Sequence, residues 1–335
     1  MSFLTFGEIM LRLTPVERAA KLDGSPAFAV NYAGSESNVA TALATLGNAV
    51  QFVTKLPDNP IGDGAIKSLR GHGVDTSRIV RGGDRIGTYF IELGASIRPS
   101  RVVYDRQHSA FSEMQPGEFN WTALLEGKKW VFVSGITAAL SDHCAAAAIA
   151  LVTEARRLKV KVAFDFNYRR TLWKDPSDAR KIFDQILANT DLLLGNAGSL
   201  SDVYGMEFKG SSETELTLQA MEHASRQFGL SRVAFTIRDH FSASANQLGA
   251  AFLDQGQTAI SSSYTVEISD RFGTGDAFAA GLLHALHQDW APQQAVDFAA
   301  AAFALKHTIN GDHHSSKEQE ITSIMEGNTS GHVIR

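Results

Sequence analysis

Asp270-Arg271-Phe272-Gly273-Thr274-Gly275-Asp276-Ala277-Phe278-Ala279-Ala280-Gly281 reads as a glycine-rich turn running straight into an apolar helix. Its two leading glycines let the backbone approach a ligand closely. The free N–H groups and positive dipole end of such a helix form a site for an anion, phosphate above all. Asp276 falls where a carboxylate can take a proton from an attacking hydroxyl. It would equally complement the helix dipole, and the residues alone leave both roles open. Phe278 stands where a dinucleotide fingerprint needs its third glycine, and no Gly-Lys-Ser/Thr phosphate loop occurs in the chain.

Around this motif, from about residue 128 onward, short apolar strands alternate with helices. Strands are expected at 130–133, 160–164, 192–194, 233–237 and 250–253. Helices are expected at 138–158 and at about 178–188, 214–228, 276–287 and 293–307. Continuous apolar strands separated by helices imply a parallel sheet covered on both faces. Ligands of such sheets bind beyond the carboxyl ends of the strands. Asp165, Asn167, Asn196, Thr236 and Arg238 fall there. Each alone is as well explained as a cap or turn residue, and together they outline a cleft.

The first third differs. Phe6, Ile9, Leu11 and Leu13 alternate with polar residues before Pro15, as in a strand. Ala33-Gly34-Ser35-Glu36-Ser37-Asn38 leads into an apolar helical run over 39–46, which Gly47 stops. Residues 88–93 and 101–104 read as an antiparallel hairpin around a turn-like 94–100. These strands are expected to form a side sheet on one α/β domain.

The 335 residues, 44% hydrophobic and 20% charged, have ordinary globular composition with ample core material. With 31 Lys+Arg against 36 Asp+Glu, the net charge of -5 speaks against a general nucleic-acid binder. No apolar run approaches the ~20 residues that span a bilayer. The opening Met1–Glu8 lacks the basic-then-apolar pattern of a signal peptide. A lone cysteine, Cys144, supports neither an internal disulfide nor a zinc site of its own. A cytoplasmic protein with no membrane or nucleic-acid partner is expected.

At this point the chain resembles the ribokinase-like (PfkB) carbohydrate kinases. Their C-terminal signature, Asp-Thr-x-Gly-Ala-Gly-Asp-x-Phe, is matched by residues 270–278, and their N-terminal glycine pair followed by Asn and Ala is matched in part by residues 33–40. The resemblance implies a three-layer α/β/α Rossmann-like domain over 1–320, with a small β-sheet lid from about 10–33 and 85–108, and a tail at 321–335. It implies ATP and Mg2+ as cofactors, Asp276 as catalytic base, and the Gly273-Thr274-Gly275-Asp276 backbone as an anion hole for the transferring phosphoryl group. Such transfer needs alignment and charge stabilisation more than covalent help from the protein. It also implies a homo-oligomer formed through the lid sheet.

Within the family, the details resemble the 2-keto-3-deoxygluconate kinases. Those carry Ala-Gly in the first motif, as Ala33-Gly34 does here, a lid tyrosine and arginine similar to Tyr104 and Arg106, and an arginine after an Asp-x-Asn strand end similar to Arg169. Guanidinium groups suit a substrate carboxylate because they bind it with fixed, charge-assisted geometry. Gly34, Asn38, Tyr89 and Asp312 complete the substrate residues that the resemblance implies. Asn167, Asn196, Thr236, Arg238, Gly273 and Gly275 are the ATP residues it implies. The family's Asn-x-x-Glu element falls at Asn196–Ser199, so Ser199 stands where the acid should be and weaker magnesium handling is expected; Asp270 and Asp276 remain as nearby carboxylates. A fructokinase, or a catalytically weak sugar-acid sensor, is the alternative. His313-His314 is expected to be solvated, Trp121 and Trp173 to pack in loops, and Arg156-Arg157 to form the wet face of a helix.

Overall fold

The computed structural model describes residues 2–17 and 20–331. Its first third contains β1 (Phe3–Phe6), β2 (Met10–Pro15), β3 (Phe28–Ala33), α1 (Ser35–Thr45), β4 (Val50–Val53), β5 (Lys55–Leu56), α2 (Pro60–Gly71), β6 (Val80–Arg81), β7 (Thr88–Glu92) and β8 (Arg101–Asp105). There follow α3 (Trp121–Leu125), β9 (Trp130–Ser134), α4 (Gly135–Ala139), α5 (Asp142–Arg157), β10 (Lys161–Asp165), α6 (Pro176–Leu187), β11 (Leu192–Gly195), α7 (Ala197–Tyr204) and α8 (Glu213–Phe228). The last third holds β12 (Arg232–His240), β13 (Ala245–Asp254), β14 (Gln257–Ile260), β15 (Tyr264–Glu267), α9 (Thr274–His287), α10 (Pro292–Lys306) and α11 (Glu318–Met325).

The central strands are apolar throughout because both of their faces are covered. In β9, Trp130 and Phe132 enter one core cluster and Val131 and Val133 the other. The first cluster packs under α1, α9 and α10, the second under α5, α6 and α8. The large sheet runs β14-β13-β12-β11-β10-β9-β1-β4, with β15 also on β13. From β4 to β12 every pairing is parallel. The small sheet, β3-β2-β7-β8, is the expected lid. Residues 18 and 19, inside its expected first segment, and 332–335 of the expected tail lie outside the described residues.

Several expectations need correction. The alternation from Phe6 to Leu13 is two strands in two sheets, separated at Gly7–Ile9, because period-2 patterning persists across a break between strands. The single helix expected at 138–158 is α4 and α5, divided where the Ser141 hydroxyl accepts from the Cys144 N–H and starts a new helix. The strand at 250–253 runs antiparallel to β12. Only residues 241–244 separate β12 from β13, too few for the crossover a parallel pair requires. β14 and β15 were not anticipated. The boundary at residue 320 cuts α11, whose Ile321 is fully buried in the core beneath α10.

His313 and His314 are not solvated. His314 is 1% exposed, and His313 Nδ1 lies 3.1 Å from His72 Nε2. Burial drives them down to about 3 and about 4, so both are neutral packing residues. His313 thus packs against His72, at the end of α2, their rings 4.7 Å apart.

Ile321→Ala should therefore cost about 2–5 kcal/mol by leaving a cavity under α11. Urea unfolding of the variant beside the unmodified chain checks it; a change below about 0.5 kcal/mol would show that α11 is only loosely attached.

Candidate active site

A cleft of about 600 Å³ lies between the carboxyl ends of β10–β12, the inner face of the small sheet and the 270–276 turn. Register fixes which small-sheet side chains face it. Arg12 pairs across from Asn31 and Tyr89, and Tyr89 from Tyr104, so these share one face. Every substrate, nucleotide and catalytic residue named from the sequence lines this cleft, and Asp270 does not: Gly34, Asn38, Tyr89, Tyr104, Arg106, Asn167, Arg169, Asn196, Thr236, Arg238, Gly273, Thr274, Gly275, Asp276 and Asp312 do.

Asp276 sits in the first turn of α9, buried at 8% exposure. Its Oδ2 accepts from Asn38 Nδ2 at 2.7 Å and its Oδ1 from the Ser35 hydroxyl at 2.8 Å. Ser35 in turn accepts from Asn167 Nδ2 at 3.0 Å. Burial pushes the carboxyl up to about 7; the two hydrogen bonds oppose this, and Asp165 and Asp312 add to it. A carboxylate poised there can accept a proton near neutral pH. Gly273 precedes the helix at φ +72°, and an added Cβ would sit 1.9 Å from the Asp312 carbonyl oxygen, so glycine is required twice over. Gly275 is exposed, and a Cβ there would meet no protein atom within 4 Å. Packing within the protein does not call for that second glycine, whereas close approach by a ligand does.

The small sheet is tied to this turn by charge. Arg12, 2% exposed, donates Nη2 to Asp270 Oδ2 at 2.7 Å, Nη1 to Asp312 and Nε to the Thr14 hydroxyl at 2.9 Å. Tyr89 donates to Asp312 Oδ1 at 3.1 Å. Asp270 also accepts from the Phe272 and Gly311 N–H groups, at 3.0 and 2.9 Å. Asp270 is therefore buried and occupied in holding the turn. Arg106 faces the cleft with Nε and Nη2 held by Glu8 Oε2 and its guanidinium over the Tyr104 ring at 5.5 Å. Arg169 is exposed, its only hydrogen bond among the described residues running to the Tyr168 carbonyl at 3.3 Å.

In the other half of the cleft, Asn196 caps α7, its Oδ1 accepting from the Ser199 N–H at 2.9 Å. Arg238 donates Nη2 to the Thr274 hydroxyl at 3.4 Å and lies over Phe303. Among the described residues no three His, Cys, Asp or Glu side chains form a metal cage. Mg2+ commonly takes one or two carboxylates beside substrate phosphates and keeps its waters. Asp165 and Glu213 line the cleft and suit that mode.

The model of the pfkB family carbohydrate kinases matches residues 2–318. The chain belongs to that family. The kinase is 33% identical over 330 residues to a 2-dehydro-3-deoxygalactonokinase of Haloferax volcanii, covering 98% of each chain. Its structure superposes on the 2-dehydro-3-deoxygluconokinase of Thermotoga maritima with TM-score 0.94 and 39% identity, covering 98% of each. A pfkB family carbohydrate kinase of Listeria grayi gives TM-score 0.90 at 32% identity, over 97% of this chain and all of that one.

Sequence reasoning missed four charged residues that line the kinase's cleft, Glu8, Glu36, Glu213 and Arg271, and also the buried Arg12 that pairs with Asp312. Arg12 had no signal: in β2 the apolar Leu11 and Leu13 are the partly exposed positions, and the buried ones alternating with them are Met10, Arg12 and Thr14. Glu36 had none: it is buried, and its Oε1 accepts from the Ser134 N–H at 2.8 Å, the Ser134 hydroxyl at 2.7 Å and the Thr137 hydroxyl at 2.8 Å, partners about 100 residues away.

With the Asp276 carboxyl at about 7, turnover that needs it ionised should fall as pH drops through that value, because a protonated Asp276 cannot accept a proton. Asn38→Ala removes a donor that favours the charged form, so the acid limb should move to higher pH. Turnover measured from about pH 5 to 9 for both proteins checks this, and an unmoved limb would exclude Asp276 as its source.

Proposed function

We propose that the chain transfers the terminal phosphoryl group of ATP to the terminal hydroxyl of a sugar acid, with 2-keto-3-deoxygluconate, giving its 6-phosphate, as the substrate of first choice. The observation that carries this reading is the buried Asp276 carboxylate, raised to about 7 and held by Ser35 and Asn38 beside the exposed Gly275 backbone. Asp276 takes the hydroxyl proton as that oxygen attacks the γ-phosphorus. The new O–P bond forms as the bond to the β-phosphate oxygen breaks, and ADP leaves. The Gly273–Asp276 N–H groups receive the charge on the phosphoryl oxygens. Asp165 or Glu213, which line the cleft, would hold Mg2+ brought in with the nucleotide, and the ion would supply further neutralisation of the phosphates.

The cleft's cations favour an acid over a neutral sugar. Arg169 is unpaired with any carboxylate among the described residues, and Arg106 keeps Nη1 uncommitted while Glu8 fixes its plane. The chemistry named for the Haloferax volcanii and Thermotoga maritima relatives is that of 2-dehydro-3-deoxy sugar acids, which supports the same reading. A cytoplasmic location suits an enzyme that draws on ATP. Release of ADP over a panel of keto-deoxy acids and neutral sugars tests it. Arg169→Ala should raise the Michaelis constant for the acid by roughly 10- to 100-fold and leave any neutral-sugar activity unchanged, since a charge-assisted hydrogen bond contributes about 1.5–3 kcal/mol. An acid-to-neutral ratio of specificity constants that is the same in both proteins would favour the fructokinase alternative.

A second copy of the chain is the partner proposed for the lid. Val30, Leu13, Phe90 and Val103 stand opposite one another across β3, β2, β7 and β8 on the outer face, with Val30 56% and Val103 46% exposed. Such a contiguous apolar row is a surface suited to association. Val103→Glu should shift the chain to monomer in sedimentation analysis, and a wild-type chain that is monomeric at high concentration would remove the proposal.

A further inference from the structure

Arg271 occupies a position where the family signature carries threonine, and it lines the same cleft as Arg238. The two residues flank Thr274, the first residue of α9. Its hydroxyl accepts from Arg238 Nη2 at 3.4 Å and donates to the Arg271 carbonyl at 3.1 Å. Arg271 donates Nη2 to the Ala243 carbonyl at 3.0 Å, and the residue lines the cleft. Neither guanidinium has a carboxylate partner among the described residues. Arg12 and Arg106, by contrast, are each satisfied by acids. Burial and the charge of Arg271 together pull Arg238 down to about 10, as expected of two like charges held close with no anion between them. His240 feels both cations as well.

The charge change is directional. Relative to the family pattern the cleft loses an acid at Ser199 and gains a cation at Arg271, two changes of the same sign, both favouring a polyanion. Two half-buried guanidiniums at a helix start fit phosphate oxygens, which accept the planar donor pair of arginine in a fixed geometry.

We propose that Arg271 is a nucleotide-binding residue: with Arg238 it grips the terminal phosphates of the nucleotide and supplies charge neutralisation that the missing acid at 199 would otherwise leave to bound metal. The inference rests on the ATP reading above and deepens it. The site then distinguishes a nucleoside triphosphate or diphosphate from a monophosphate, and holds ATP to a measurable degree without magnesium.

Calorimetric titration of the full chain with ATP and with AMP, in chelator without magnesium, tests the proposal. The unmodified protein should bind ATP under these conditions. Arg271→Gln should weaken ATP by roughly 10-fold or more and leave AMP unchanged. It should also flatten the dependence of ATP affinity on salt, because one fewer cation meets the phosphates. Arg271→Lys, which keeps the charge but not the planar donors, should recover part of the loss and serves if the glutamine variant is unstable. Equal ATP affinity in unmodified protein and Arg271→Gln, with only a lowered thermal midpoint, would make Arg271 a mere anchor for the 241–244 loop and overturn the proposal. Absence of ATP binding by the unmodified chain, with or without magnesium, would instead bring down the ATP reading itself and this inference with it.

Discussion

The Arg12 guanidinium, buried between Asp270 and Asp312, is the interaction on which the remaining site geometry depends. It joins a strand of the small sheet to the two loops that frame the start of α9, across nearly the full length of the sequence. Removing charges from water is costly, and a buried pair repays that cost only when its hydrogen bonds are complete. Here they are: Thr14, Tyr89 and the Phe272 and Gly311 N–H groups occupy the remaining positions. Lys306, also buried, donates to the Ile309 and Gly311 carbonyls and holds the same loop from below. A network of this kind adds little net stability but permits few alternative arrangements, so the lid and the glycine turn meet in one geometry.

That geometry explains the state of Asp276. The Asp312 carbonyl leaves no room for a side chain at Gly273, and the glycine turn delivers Asp276 into a buried position facing Asn38 and Ser35 of α1. The carboxyl is thus desolvated enough to rise toward neutrality yet retains donors that keep its charged form accessible. Asn167 supports the arrangement through Ser35 from a backbone at φ +31°, a left-handed conformation held in place by its surroundings.

The cleft divides its cations by function. Arg12 and Arg106 are neutralised by Asp270, Asp312 and Glu8, and act as fixed walls with restricted donors. Arg169, Arg238 and Arg271 lack such partners among the described residues and carry the positive potential of the site. The first lines the side of the proposed acid substrate, the other two the side proposed for the nucleotide phosphates. A protein of net charge -5 can therefore attract two anionic ligands, because what matters is the local and poorly screened charge of a cleft.

Much of the fold was legible in the chain because its signals are local. Apolar runs bounded by turns marked the parallel strands, and the glycine turn before α9 marked the anion site. The Ala33–Asn38 stretch marked α1. The polar residues at strand ends did converge on one cleft, as a parallel sheet requires. What the sequence could not express were relations between distant residues. Strand direction at β13 depended on the length of one loop, and the burial of Ile321 and His314 depended on surfaces built elsewhere. Asn196 and Asn167, read as nucleotide residues, hold a helix start and a hydroxyl respectively. Whether an arginine is a wall or a free cation depends on which carboxylate stands opposite it. Sequence by itself determined most of the central strands and helices and the glycine-rich and polar motifs at their ends; tertiary structure decided which charges cancel, because electrostatic pairing depends on distance in space and not along the chain.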